Sequence, residues 1–164
     1  MILRCTKKLL AVIGPKLAAD PPPAPDAEDW YANLLWSERR KCLLLTHSAT
    51  LFTIFEPGVT AAGLRAAGRL MTCLIERELH SENLPPDTFA DLDPEKVIVA
   101  RTADRSVLGC MNDMALHCEI VIADSGGLAL TDIAGLNRSL RRNINSARGY
   151  RPPIELAAER LGAR

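Results

Sequence analysis

Three side chains that can do chemistry recur at helical spacing between Arg101 and Ala123, in the stretch RTADRSVLGCMNDMALHCEIVIA. Cys110, Asp113 and His117 stand at i, i+3 and i+7, so on a helix they point towards one side. A thiolate, a carboxylate and an imidazole can bind zinc, and Asp113 with His117 also has the chemistry of an acid–base pair. The sequence has no C-x-x-C pair and no glycine-rich phosphate loop, and we therefore predict neither a metal site nor a cofactor.

A nucleophilic role for the same stretch is less favoured. It would pair His117 with a cysteine or with Ser106, but adjacent helix positions such as His117 and Cys118 point apart. The sequence also lacks the G-x-S-x-G elbow of serine hydrolases. In the structural alternative, Cys110 is a small core residue and Asp113 pairs with His117 across one helical turn.

The loop that precedes this helix is basic. Ser106 is the predicted N-cap and the helix begins at Val107, because a short polar side chain can accept from the free amides of a first turn. Arg101 and Arg105 then lie beside the helix N-terminus, where forked donors and free amides suit a phosphate. The predicted centre of a phosphate site is therefore this loop.

Further basic clusters lie at the exit of the first strand, at a hairpin turn and in the C-terminal tail. The candidate phosphate-binding or nucleic-acid-binding residues are Arg4, Lys7, Lys8, Arg39, Arg40, Lys41, Arg101, Arg105, Ser106, Arg141 and Arg142. The alternative is that these are solvated surface charges beside apolar elements. Aromatic residues for base stacking are few, and Trp30, Tyr31 and Trp36 are predicted to be core or rim residues of a meander.

The elements that must position these groups follow from hydrophobic periodicity and turn residues. In chain order they are a strand at 1–6, a helix at 7–13, three antiparallel strands from Trp30, a helix capped by Thr60, a strand at 96–100, the helix from Val107, and helices at 131–140 and 154–161. A strand at 119–123 remains the alternative to the end of the Val107 helix, because Ile120, Val121 and Ile122 are β-formers.

Strands and helices are partly segregated along the chain, which favours an α+β fold over a doubly wound sheet. We predict a single α+β domain over 1–164, in which an antiparallel meander with one or two additional strands packs against two main helices. A proline-rich surface loop lies near 20–29, where solvated acids and prolines oppose burial, and a basic tail covers 137–164.

Composition excludes some partners. The 164 residues carry 20 basic and 20 acidic side chains, so no global field draws the chain to nucleic acid or to a membrane, and an electrostatic partner must use a local patch. Five widely spaced cysteines argue against a disulfide framework and for a reducing compartment. With no leader pattern and no long uninterrupted apolar run, we expect a cytoplasmic protein with no membrane partner.

Four blocks in order resemble an uncharacterised bacterial family known only as a domain of unknown function. They are RCTKKLL at 4–10, WYANLL at 30–35, RRKCLLLT at 39–46 and RSVLGCMND at 105–113. The resemblance implies a small, stand-alone bacterial protein, and it brings no established activity, cofactor or catalytic residue.

A shorter resemblance lies in the tail. LNRSLRRNINSARGYRPPIE, at 136–155, is similar to the closing segment of transposase and integrase catalytic domains. Those enzymes need an Asp on the first strand to hold metal ions, and here that strand is ILRCT. A working transposase is therefore not expected.

The leading functional prediction is a non-catalytic binding protein that contacts a phosphate-rich partner, above all nucleic acid, through its Arg and Lys loops. One alternative is a hydrolase or nuclease that uses Asp113 and His117, with Arg105 holding a developing negative charge. A second alternative is a protein-interaction module of a bacterial two-component or mobile-element-linked system, which would bind another protein.

Overall fold

The computed structural model describes residues 1–14, 18–89 and 92–160, and within them the chain forms one mixed sheet with helices on both faces. The strands are β1 (Ile2–Cys5), β2 (Trp30–Ser37), β3 (Arg40–His47), β4 (Thr53–Pro57) and β5 (Ile98–Arg101). The helices are α1 (Lys7–Ile13), α2 (Ala61–Arg65), α3 (Ala67–Ser81), α4 (Arg105–Asp124), α5 (Ile133–Arg142) and α6 (Pro153–Glu159). Short 3-10 helices lie at Pro94–Lys96, Leu128–Leu130 and Ser146–Arg148. The α+β prediction is confirmed.

The sheet runs in the order β4-β3-β2-β1-β5. The predicted meander is confirmed, because β2, β3 and β4 pair antiparallel in sequence order. The additional strands β1 and β5 pair parallel with each other, and β1 also pairs parallel with β2. The parallel half of the sheet is thus β2-β1-β5, with β1 in its middle.

Each face of the sheet carries its own hydrophobic core, because consecutive residues of a strand point to opposite faces. The first core lies under α1, α2 and α3, and it takes Leu43 and Leu45 from β3. The second core lies under α4 and α5, and it takes Leu44. The continuous apolar run of β3 is therefore that of a central strand buried on both sides.

Both edges of the sheet are covered by other parts of the chain. On the β4 side, the side chain of Asn137 accepts from the N–H of Phe55 at 2.7 Å and donates to its C=O at 3.1 Å. On the β5 side, the N–H of Ala19 donates to the C=O of Val99 at 2.8 Å. These contacts take up backbone groups that an exposed edge would offer to another strand.

The start of α4 differs from the prediction. The N-cap is Asp104 and not Ser106, and the carboxylate of Asp104 accepts from the N–H groups of Ser106 and Val107 at 2.7 and 3.4 Å. Asp104 is also a preferred N-cap residue, and its place one residue before the helix lets it reach both amides. The helix consequently begins at Arg105.

The alternative strand at 119–123 is wrong, since α4 continues to Asp124. Cys118 and Ile122 extend the buried stripe of α4 into the second core, and this packing outweighs the β-preference of the local residues. Among the described residues, α4 alone is long and apolar enough to cross a membrane by length and composition. That is weak evidence for a span, because a core helix passes the same test.

Three smaller expectations also changed. The helix capped by Thr60 is interrupted at Ala66, which separates α2 from α3, although Thr60 does accept from the N–H of Gly63. The last helix ends at Glu159, and the predicted end at 161 lies outside the described residues. Asp29, predicted to be solvated in the proline-rich loop, is buried against Arg4.

Candidate functional site

The two helices that follow β1 and β5 leave the sheet on opposite faces. The chain passes from β1 into α1 on the face of the first core, and from β5 into α4 on the face of the second core. Because β1 and β5 are adjacent and parallel, the departing helices leave a crevice beyond their carboxyl ends, which is the usual ligand position in open sheets of this kind. We call this crevice the strand-end cleft.

A cavity of about 550 Å³ occupies the strand-end cleft. Its lining residues are Cys5, Lys7, Leu10, Ala11, Arg101 and Thr102. Burial raises the pKa of the Cys5 thiol to about 12, so this side chain is a neutral wall of the cavity and not a nucleophile. The cleft therefore combines an apolar wall with cations at its mouth.

Two exposed cations line this cleft, and two more lie on the helix turns next to it. Lys7 and Arg101 line it, and Lys8 and Arg105 lie on the adjoining first turns of α1 and α4. Within the part of the chain that the structure describes, none of the four side chains forms an ion pair or a hydrogen bond. We call Lys7, Lys8, Arg101 and Arg105 the cleft cations, and their charges are available to an anionic ligand.

The N-terminus of α4 is not open to such a ligand. The amides that a phosphate would use are hydrogen-bonded to Asp104, and the negative charge of this carboxylate opposes a second anion there. Ser106 is exposed at this end of the helix without forming its cap. A phosphate site at this end would thus depend on the Arg101 and Arg105 side chains and not on the helix terminus.

Arg4 serves the interior of the protein. Its guanidinium pairs with the carboxylate of Asp29 and donates to the carbonyl oxygens of Pro23, Ala24 and Arg101 at 3.0, 2.7 and 3.3 Å. The side chain is fully buried. The structure thus contradicts Arg4 as a phosphate-contacting residue, because protein acceptors already occupy its donors.

Arg141 and Arg142 are likewise bound to acidic residues of the fold. Arg141 is buried and its Nη1 lies 2.8 Å from Glu78 Oε2, and Arg142 Nη2 lies 2.6 Å from Glu82 Oε2. Glu78 lies on α3, and Glu82 is the C-cap residue of the same helix. The prediction that the C-terminal tail offers these two arginines to a partner is therefore not supported by their surroundings.

The turn between β2 and β3 presents a second exposed basic group. Arg39 and Arg40 are exposed, and the Nζ atom of Lys41 lies 4.8 Å from the ring centroid of Trp36. Of the three aromatic residues predicted as core or rim, Trp30 and Tyr31 are buried, whereas Trp36 stands at the rim with 56% of its surface exposed. We call Trp36, Arg39, Arg40 and Lys41 the hairpin surface.

The reactive-looking trio of α4 faces a different groove. His117 Nε2 lies 2.9 Å from Ser139 Oγ on α5, and the structure contains no hydrogen bond between His117 and Asp113. The groove, with a cavity of about 320 Å³, is lined by Asp113, Met114, His117, Leu140, Asn143, Ile144 and Asn145. Arg105 is twelve residues before His117 on the same helix, or about 18 Å along its axis. The Arg105, Asp113 and His117 constellation is therefore not assembled.

Cys110 contacts this groove from its other end, where its Sγ atom lies 3.5 Å from Asn145 Oδ1. In the described ranges, no three His, Cys, Asp or Glu side chains come together in a way that could hold a metal ion. The spacing at i, i+3 and i+7 thus places the trio on one side of α4 without building a site around it.

Sequence reasoning did not find the strand-end cleft. It identified Lys7 and Arg101 separately but did not predict that β1 and β5 are neighbours, which is what brings the two side chains to one cavity. The pattern of a strand, a short helix and a second strand at 2–37 favours a parallel crossover from β1 to β2, but it carries no signal for the position of β5.

A family model described as a domain of unknown function, DUF6933, matches residues 2–156, and the chain belongs to this family. The match covers nearly the whole sequence and confirms the resemblance to an uncharacterised domain family. Neither a curated protein nor a solved structure matches the chain.

Proposed function

We propose that this member of the DUF6933 family is a non-catalytic protein that binds the phosphate backbone of a nucleic acid at the carboxyl edge of its parallel strands. The observation that carries the proposal is that Lys7 and Arg101 line a cavity of about 550 Å³, with Lys8 and Arg105 exposed on the adjoining first turns of α1 and α4. An exposed guanidinium or ammonium without an internal partner forms charge-assisted hydrogen bonds with phosphate oxygens.

A polymer fits the arrangement better than a single phosphate does. The hairpin surface lies beyond the same end of the strands as the cleft does. This follows because β2 is parallel to β1 and extends five residues beyond Ala32, the partner of Cys5. At the rise of a strand this separation is roughly 17 Å, which one phosphate cannot bridge. A chain of phosphates can contact the cleft cations and Arg39 or Arg40 together.

The hydrolase alternative has less support. It needs Arg105 near His117, and the two side chains begin about 18 Å apart along α4. The hydrogen bond between His117 and Ser139 instead joins the two helices of the second core.

We further propose that the protein is bacterial and works in the cytoplasm. The resemblance in the four sequence blocks supports the bacterial source. All five cysteines are free thiols, four of them buried, which suits a reducing compartment.

The test is the salt dependence of oligonucleotide binding. Fluorescence anisotropy of a labelled oligonucleotide, measured from about 50 to about 200 mM salt, should give a linear fall of log K with log salt concentration. The variant Lys7→Ala/Arg101→Ala should bind a single strand more weakly, and each phosphate that the variant no longer neutralises should make the slope shallower by about 0.7.

Arg69→Ala is the control for the loss of a surface cation outside the cleft. Arg69 is an exposed arginine on α3 whose contact is a surface ion pair with Glu95, so its replacement should leave both affinity and salt slope unchanged. Absence of nucleic-acid binding, or a slope that Lys7→Ala/Arg101→Ala leaves at the wild-type value, would overturn the proposal.

A further inference from the structure

The hairpin surface combines an exposed indole ring with three cations on consecutive residues. Trp36 has 56% of its surface open to solvent, and Lys41, its cross-strand partner, lies over the ring. Large aromatic side chains are usually buried, and Trp30, the other tryptophan of the chain, is 1% exposed. An exposed ring with cations beside it is the combination of side chains that stacks on unpaired bases and holds the adjoining phosphates.

Trp36 lies on the same face of the sheet as the strand-end cleft. Ala32, Leu34 and Trp36 alternate along β2 on the face of the first core, and Ala32 is the register partner of Cys5, which lines the cleft. Trp36 is four residues beyond Ala32, or about 13 Å along the strand. A ligand chain that leaves the cleft along this face reaches the indole next.

The hairpin is held in one conformation. Glu38 and Arg39 form a two-residue turn with φ of 47° and 66°, a left-handed conformation that non-glycine residues adopt at a cost. Glu38 Oε1 accepts from the N–H of Leu128 at 2.9 Å, which ties the turn to the connection between α4 and α5. The ring and its cations are thus positioned before a ligand arrives, which lowers the entropic cost of binding.

We propose that Trp36 stacks on an unpaired nucleobase, so that the ligand of this protein is single-stranded nucleic acid and not a duplex. The inference rests on the proposed function and adds that the indole contacts the bases of the ligand. Bases of a duplex are already stacked inside the helix, whereas every unpaired base offers a π-face to an aromatic side chain. Lys41, the cross-strand partner of Trp36 on the same face of the sheet, then contacts a phosphate next to the stacked base.

The test compares three ligands of equal length: a single-stranded oligonucleotide, the same strand with abasic sugars, and the duplex. Wild-type protein should bind the single strand most tightly. Trp36→Ala should weaken single-strand binding by about 5-fold to about 150-fold, because one stacked base contributes about 1–3 kcal/mol. The same variant should bind the abasic strand as the wild type does.

Tyr150→Ala is the matched control. Tyr150 is an aromatic residue that is 68% exposed, and it follows the 3-10 helix whose Arg148 binds the backbone of Ser48, beyond the opposite end of β3. Its removal should change the affinity for none of the three ligands. Both replaced side chains are exposed, so both variants should fold, and circular dichroism checks this.

Tryptophan emission gives an independent readout. Saturation with the single strand should quench the emission of Trp36, and Trp36→Phe should abolish this quenching, since the buried Trp30 then remains as the only emitter. DNA and RNA strands are tested in parallel, because both present phosphates and unpaired bases.

Two failures are distinguishable. If Trp36→Ala binds the single strand as tightly as the wild type does, or if the duplex binds equally well, the stacking inference is wrong while the proposed function stands. If only the duplex binds, the stacking inference is likewise wrong while the proposed function stands. If none of the three ligands binds, the proposed function falls and the stacking inference falls with it.

Discussion

His47 is a neutral imidazole enclosed by aromatic rings. Its ring centroid lies 5.1 Å from that of Trp30 and 4.4 Å from that of Phe89. The N–H of Thr50 donates to Nδ1 at 3.4 Å, and the Thr50 hydroxyl lies 3.1 Å from the same atom, so Nδ1 is the unprotonated nitrogen. A second proton on this ring would have to displace those donors.

The charged form of His47 is disfavoured by its surroundings as well. Burial, and then the positive charges of Arg160 and Arg148, lower the pKa of His47 to about 3. Its Nε2 has no hydrogen-bond partner among the described residues, and the carboxylate of Glu28, at 3.9 Å, is the acid that faces it. Glu28 is itself paired with Arg160, which leaves little negative charge for the imidazole.

At the scale of this residue we predict a loss of stability as the pH falls. The folded pKa of His47 is below its unfolded value of about 6.5, so the unfolded chain binds more protons once the pH drops below that value. The contribution of neutral His47 to the free energy of unfolding is complete above about pH 6.5, and it is lost progressively towards about pH 3. Urea unfolding between about pH 8 and pH 5 measures it.

His47→Asn is the control, because an amide oxygen can replace Nδ1 as the acceptor for Thr50 but does not titrate. This variant should be less stable than the wild type at about pH 8 and should show a smaller decline between about pH 6.5 and pH 5. An equal decline in both proteins would assign the effect to other groups.

At the scale of elements, α5 joins the β4 edge of the sheet to α3, which packs on the face of the first core. Leu136 and Leu140 pack in the second core, and Asn137 satisfies the backbone of β4. Arg141, one turn after Asn137, reaches Glu78 on α3 and lies over the ring of Phe52 at 5.1 Å. One short helix therefore fixes the β4 edge and connects the two faces.

Glu78 and Glu82, the two acidic partners of Arg141, are also bound by other arginines. Burial raises the pKa of Glu82, but hydrogen bonds from Arg142 and Arg141 outweigh burial, and the net effect is a lowered pKa. Glu78 also accepts from Arg77 Nε at 3.0 Å. The removal of Arg141 would leave each carboxylate with one remaining arginine.

We expect Arg141→Met to reduce the free energy of unfolding by about 3 kcal/mol. Breaking a buried ion pair by removing one partner typically costs about 3–5 kcal/mol, and the remaining contacts of Arg77 and Arg142 place this case at the lower end. Chemical denaturation of the variant measures the change.

Arg138→Ala is the comparison on the same helix. Arg138 is exposed and its contact with Asp132 is long, at 3.7 Å, so its replacement should cost no more than about 0.5 kcal/mol. If Arg141→Met were as mild as Arg138→Ala, the buried network would not contribute to stability in the way described.

At the scale of the whole molecule, two cores share one sheet. The central strand β3 places Leu43 and Leu45 in the first core and Leu44 in the second, so neither core can open without disrupting the common strand. Arg148 donates hydrogen bonds to the backbone carbonyls of Ser48 and Ala49. These bonds connect the C-terminal segment to the same unit.

We therefore predict a single cooperative unfolding transition. Emission of Trp30 reports on the first core, and pulsed thiol labelling of Cys118, which is buried in the second core, reports on the other face. The two probes should give the same denaturant midpoint when Trp36 is replaced by Phe. Separate midpoints would show that the two faces unfold independently.

The sequence by itself determined the local elements and the fold class. Periodicity located the strand and helix at 1–13, the meander and the two main helices, because which side chains a helix or strand can bury depends on neighbours within a few residues. Capping was less certain, since Asp104 and Ser106 both suit an N-cap and only their positions relative to the helix axis distinguish them.

Only the tertiary structure decided what each cation does. Arg4 and Lys7 are close in sequence and equally basic, yet Arg4 meets Asp29 across the parallel pairing of β1 with β2, while Lys7 faces the strand-end cleft. Arg141 is bound by an acid 63 residues away. Whether a charged side chain is free or paired depends on which distant elements pack beside it. The spacing of residues in the sequence does not show that contact.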